Sequence, residues 1–248
     1  NELLYSSSKT YALGHGCSVD WDTAATRISS SFMPEHEITN IAPDIQDEEG
    51  NELKISMLDL AEFSQSETKT LLTKITDSYK NWIEKKCKQI PTLPPELQEI
   101  ATKHMDNCSF SLNRMEKGIT ALEDEKIFKA FQLANLAMFI QQVSGGSIEK
   151  AIIENGKISY STSAEKLTDL KTITELRKIF ASFNKGYWRA FQIAFLLMSL
   201  PSLPKKAFSE REIADLIWFP TGGGKTEAYL GYAATTILYN RLIDSNDC

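Results

Sequence analysis

Three consecutive glycines, Gly222, Gly223 and Gly224, stand between an apolar run, Ile213-Ala-Asp-Leu-Ile-Trp-Phe219, and a breaker-poor stretch that begins at Glu227. The apolar run predicts a strand, and Ala228, Leu230, Ala233, Ile237 and Leu238 predict a packed helix after the glycines. Glycine populates positive φ without steric cost, so the chain between the two elements is free to curl with several N–H groups turned inward. The start of the following helix adds unpaired N–H groups and the positive end of its dipole. Such a concavity suits a phosphate group. In Pro220-Thr221-Gly222-Gly223-Gly224-Lys225-Thr226, Thr221 and the glycine amides would surround phosphates, Lys225 would reach the β- and γ-phosphates of a nucleoside triphosphate, and Thr226 would offer its hydroxyl to Mg²⁺.

Phe219 occupies a position where the general phosphate-loop pattern has a small residue, so the match is to a variant. Loops of helicase type relax that position and keep Pro-Thr-Gly-x-Gly-Lys-Thr. Trp188-Arg189-Ala-Phe-Gln192 lies 33 residues before Lys225 and opens an apolar helix. It resembles the Arg-x-aromatic-Gln element of superfamily-two helicases, in which the glutamine pairs with the adenine edge. A primary amide presents a donor beside an acceptor, which matches N6 and N7 of adenine. Arg189 and Gln192 thereby join the loop as candidate ATP-binding residues.

The rest of the chain divides by pattern. Residues 1–66 mix turn formers with short apolar stretches, punctuated by Pro34, Pro43 and the run Gln46-Asp-Glu-Glu-Gly-Asn51, and predict loops with a few short strands. From Glu67, Leu71, Leu72, Ile75, Tyr79, Trp82 and Ile83 recur at helical spacing, with Ile90-Pro91 ending the run. Pro94-Pro95 leads into a second helix over Glu96 to Met105. Asp124 to Val143 has so little polar face that a helix there is buried on most sides, and Gly145-Gly146 stops it. Ile152 to Tyr160, turning at Asn155-Gly156, predicts a hairpin, and helices resume from Leu167. The expected organisation is an acidic N-terminal region (1–66), a helical accessory domain (67–184) and the opening of an α/β ATPase lobe (185–248).

Several other patterns carry less. Glu123-Asp124-Glu125 imitates an Asp-Glu box, but it precedes the loop and no strand leads into it, so a solvated helix start is expected. His15-Gly16-Cys17 with Asp20 lacks a second ligand pair at metal spacing and predicts a tight turn with small buried residues. Trp82, Trp188 and Trp218 fall at apolar periodic positions and are expected in the core rather than stacked on bases.

Charge separates the chain further. Residues 1–67 hold 13 Asp/Glu against 3 Lys/Arg, whereas the remainder holds 20 against 24. The acidic end would repel phosphate, and any DNA contact is expected from residues 68–248. The longest apolar run, Phe191 to Leu200, is far short of the roughly 20 residues that span a bilayer. The four cysteines form no Cys-x-x-Cys pair, so a reducing, cytoplasmic compartment is expected. With Asn1 at the start and Asn246-Asp-Cys248 at the end, the sequence reads as an excerpt.

Four patches lie between residues 11 and 231: Tyr11-Ala-Leu-Gly-His-Gly-Cys-Ser-Val-Asp-Trp21, then Arg114-Met115 with Gly118 and Leu122, then Ala130-Phe131 and Ala134-Asn135-Leu-Ala-Met138, and last Trp218-Phe-Pro-Thr-Gly-Gly-Gly-Lys-Thr-Glu-Ala-Tyr-Leu-Gly231. Together they resemble the DrmA family, the helicase subunits of DISARM anti-phage systems, the last patch being the most specific. The resemblance implies an ATP- and Mg²⁺-dependent DNA helicase or translocase in bacterial phage defence, acting beside a second subunit, DrmB. With 23 residues after Lys225, the Asp-Glu box, an arginine finger and a second RecA-like lobe fall outside the sequence.

The expected fold is α/β with a large helical part, ending in the start of a RecA-like P-loop lobe. Two other functions use the same loop: an ATP-gated DNA sensor that docks partners without unwinding, and a P-loop ATPase unrelated to helicases.

Overall fold

The computed structural model describes residues 9–31, 55–144, 150–154, 157–161, 172–180, 185–204, 209–218 and 223–244. The acidic run 46–51, Gly145-Gly146, the turn Asn155-Gly156, Leu167 and Phe219 to Gly222 lie outside the described residues. The chain forms two compact units, one of residues 1–42 and 84–107 and the other of residues 43–83 and 108–248.

In the first unit, β1 (Ser18–Trp21) pairs antiparallel with β2 (Ile28–Ser31), Trp21 opposite Ile28. Asp22 organises the turn between them. Its carboxylate accepts the Thr26 backbone N–H at 2.6 Å and the Thr26 hydroxyl at 2.5 Å. Stabilised first by that hydroxyl, the charged form is favoured and the carboxyl titrates below its ordinary value. Tyr11 packs edge-on against Trp21, ring centroids 5.7 Å apart.

The second unit is mostly helical. After β3 (Ile55–Ser56) come α1 (Met57–Glu62) and α2 (Gln65–Cys87). A 3₁₀ turn over Ile90–Thr92 precedes α3 (Pro95–Ala121), with Pro95 in its first turn; α2 and α3 each contribute residues to both units. Then follow α4 (Glu125–Ser144), the hairpin β4 (Lys150–Glu154) and β5 (Lys157–Ser161), and α5 (Ile173–Phe180). β6 (Tyr187–Trp188), α6 (Ala190–Ser199) and α7 (Lys225–Ile243) complete the described elements. The expected long helices, the hairpin and the helix after the glycines are all present, with α3 running well beyond Met105.

The helix α1 was not expected within the first 66 residues. Ser56 caps it by accepting the Asp59 N–H, and Met57, Leu58 and Leu60 are buried as α1 packs on α4. Its two turns are too short for periodicity to reveal. α4 packs against both α1 and α7, which buries Ile127, Ala130, Phe131, Ala134, Met138 and Phe139, as its thin polar face implied.

The expected strand over 213–219 is absent at residues 213–218, which take no regular structure. A strand exists through hydrogen bonds to a neighbour. Among the described residues every strand belongs to one of three two-stranded sheets, and none includes this segment. Leu216 is accordingly 87% exposed and Trp218 75%. Among the described residues no helix is long and apolar enough to cross a membrane.

Candidate functional site

Helix α7 begins at Lys225, with Gly224 as its N-cap at φ +86°. Only glycine adopts that left-handed conformation routinely. A Cβ on Gly224 would also lie 2.6 Å from Gln192 Nε2 and would displace that amide. Lys225 is half-buried and Thr226 exposed in the first turn, where the backbone N–H groups lack intrahelical acceptors.

The start of α6 meets this loop. Arg189 is extended and Gln192 lies in the first turn of the helix, 3% exposed. Gln192 Oε1 accepts the Arg189 backbone N–H at 2.8 Å, and Gln192 Nε2 donates to the Gly224 carbonyl at 2.7 Å. The Arg189 guanidinium donates to the Gly223 carbonyl at 2.9 Å. Residues 34 positions apart thus share one hydrogen-bonded cluster. A primary amide has two N–H groups and two acceptor lone pairs, so these bonds use one of each and leave one of each. Of the residues read from sequence as nucleotide-binding, Arg189, Gln192, Gly223, Gly224, Lys225 and Thr226 come together here; Thr221 and Gly222 lie outside the described residues.

The supporting contacts were less legible. Trp188, one residue before Arg189, is 3% exposed and donates its indole N–H to Asn135 Oδ1 on α4 at 2.6 Å. Its backbone pairs with Ile55 in β3, and its ring lies on α7, where a Cβ on Gly231 would stand 2.7 Å from the indole edge. This changes the buried face of α7 from the one expected. Ala228, Gly231, Thr235 and Tyr239 face inward, while Leu230 and Ile237 are 44% and 54% exposed. At Gly231 the indole occupies the space that a side chain would need. Arg114 on α3 is buried and makes a two-pronged ion pair with Asp215. A sequence signal existed for that pair, since Asp215 is the one charge in the apolar run.

The other candidates resolve individually. Asp124 caps α4, its carboxylate accepting the N–H groups of Lys126 and Ile127 at 2.8 and 3.0 Å, which matches the expected helix start. His15, Gly16 and Cys17 form a bend with Gly16 at φ +72°, but His15 and Gly16 are exposed rather than buried. Trp188 is a core residue as expected. Trp82 and Trp218 are not, at 44% and 75% exposure. Trp82 lies on the outer side of α2 stacked on Tyr79, centroids 5.9 Å apart, and Trp218 sits in the segment that no strand covers.

No family model matches the chain. It is 34% identical over 257 residues, 99% of its own length, to DISARM protein DrmA of Bacillus paralicheniformis. The chain spans 21% of that relative's length. The similarity read from scattered patches therefore extends along nearly the whole chain.

Proposed function

We propose that this chain holds part of the nucleotide site of an ATP-dependent DNA helicase or translocase of bacterial phage defence, working in the cytoplasm beside a DrmB-type subunit. The observation that carries this is the cluster formed by Arg189 and Gln192 with the Gly223 and Gly224 carbonyls, directly before the first turn of α7. In support, the donor set suits a triphosphate: a helix N-terminus, the Lys225 ammonium and an exposed Thr226 hydroxyl one residue on. Lys225 would neutralise charge on the β- and γ-phosphates, and Thr226 would hold Mg²⁺, which supplies charge neutralisation at the phosphates when bound. Gln192, through its remaining donor and lone pair, would read the adenine edge, with Arg189 flanking it. Residues 185–248 would open a RecA-like lobe after a helical accessory domain (67–184), with the acidic first 66 residues turned away from DNA.

The test is Lys225→Ala in the intact protein. Loss of one preorganised charge at a phosphoryl group costs about 10²- to 10³-fold in turnover. ATPase activity should fall by at least that much while DNA binding without nucleotide persists; undiminished turnover would remove the phosphate-loop assignment. Strand-displacement and translocation assays on the same protein separate a motor from a sensor that hydrolyses ATP without moving.

A further inference from the structure

The segment that feeds the glycine loop, residues 213–218, has little to hold it. It takes no regular structure, and Ile213, Leu216 and Trp218 are 38%, 87% and 75% exposed, so apolar burial contributes little. Asp215 ties it to the rest of the second unit by an ion pair. Arg114 Nη1 donates to Asp215 Oδ1 at 2.5 Å and Nη2 to Asp215 Oδ2 at 2.8 Å. The Arg114 side chain is 5% exposed and that of Asp215 25%. A guanidinium so far removed from water needs its carboxylate, because burying an uncompensated charge is strongly unfavourable. The fork of Arg matches both oxygens at once and fixes direction as well as distance.

The same guanidinium reaches the other arm of the site. Nη2 also lies 3.5 Å from the Met198 carbonyl, in α6, the helix whose first turn holds the Gly223 and Gly224 carbonyls. One turn further along α3, Gly118 lies so close to α6 that a Cβ there would stand 2.0 Å from the Leu197 carbonyl oxygen. Helix α3 thus touches both strands of chain that converge on the loop, and Arg114 is the residue common to them.

We propose that Arg114, acting through Asp215, is a positioning residue for the nucleotide loop, so that α3 sets the loop's affinity for a nucleoside triphosphate. Because linkage is reciprocal, bound nucleotide tightens the hold of α3 on residues 213–218. This rests on the phosphate-loop assignment and adds a residue that touches no phosphate.

The experiment measures the dissociation constant and the stoichiometry of a fluorescent ATP analogue in the intact protein, with hydrogen exchange of residues 213–218. The variants are Arg114→Ala, Arg114→Lys, Asp215→Asn, the double variant Arg114→Ala with Asp215→Asn, and Lys225→Ala. Arg114→Ala and Asp215→Asn should each weaken binding on the order of tenfold, a typical coupling between sites. The double variant should lose no more than either single one, since both remove the same pair. Arg114→Lys should recover little, an ammonium being unable to make the forked contact. Exchange over 213–218 should quicken in parallel. A merely structural role would lower the number of sites per chain and leave the dissociation constant of the remainder unchanged, which would overturn the proposal. Affinity within about twofold of wild type in both single variants, with Lys225→Ala still abolishing binding, would overturn it and leave the phosphate-loop assignment standing. Binding indifferent to Lys225→Ala would remove both.

Discussion

The indole N–H of Trp188 and Oδ1 of Asn135 meet at 2.6 Å with both residues buried, and the Asn135 amide in turn donates to the Phe131 carbonyl at 2.8 Å. The asparagine is thus held by its own helix and holds the residue before Arg189. Asn135→Leu keeps the volume nearly constant but leaves the indole N–H without an acceptor, at a cost of about 1–3 kcal/mol. Urea unfolding should show the midpoint lowered accordingly. An unchanged midpoint would mean that the bond adds nothing to stability.

Gly118→Ala sets two effects against each other. Alanine in a helix interior is favoured over glycine by about 0.5–1 kcal/mol. Against this, the new methyl would lie 2.0 Å from the Leu197 carbonyl, a backbone atom that yields only if α3 and α6 separate. Overpacking of this kind costs about 1–3 kcal/mol or more, so the variant should be less stable. A raised melting temperature would show that the two helices separate easily.

In the proposed site Gln192→Ala would act twice. Loss of the bond to the Gly224 carbonyl would loosen the loop for any nucleotide, and loss of the amide edge would remove the proposed adenine selection. ATP affinity should therefore fall more than GTP affinity, the difference amounting to about 1–3 kcal/mol, the scale of a bidentate amide pair. Equal losses would confine Gln192 to holding the loop.

Tyr79 makes stability depend on alkaline pH. Burial first, then a side-chain hydrogen bond with Cys108, hold its phenol well above the ordinary value. Between the unfolded value of about 10 and the higher folded one, the unfolded chain binds fewer protons than the folded chain. The contribution of Tyr79 is therefore complete below about pH 10 and is lost as pH rises beyond it. In Tyr79→Phe, urea unfolding followed to about pH 11 should show a shallower decline than wild type; parallel curves would refute this origin.

What sequence disclosed was periodic or local. The spacing of Leu72, Ile75 and Ile83 announces α2, the near absence of a polar face announces the burial of α4, and Asp124 before an apolar run announces a cap. Their resemblance to a helicase element set Arg189 and Gln192 beside the glycine loop as candidates for one site, without indicating that they hold its carbonyls. The remainder depends on partners far away in the chain. Whether residues 213–218 pair as a strand depends on a neighbouring strand, which their own alternation does not encode. The inward position of Gly231 on α7 depends on Trp188, whose ring fills the space a side chain would need. The engagement of the Gln192 amide with a loop carbonyl has no periodicity at all.

Arg189 and Gln192 hold carbonyl oxygens, and in a planar trans peptide the C=O and the following N–H point in opposite directions. Engaging the oxygens of Gly223 and Gly224 therefore turns the amides of Gly224 and Lys225 away from the two side chains. The dipoles of both peptide units are oriented by the protein itself, with their positive ends away from Arg189 and Gln192. An anion arriving there would find that orientation already established and would not have to rotate the units against solvent, so much of the reorganisation accompanying its capture would have been completed during folding.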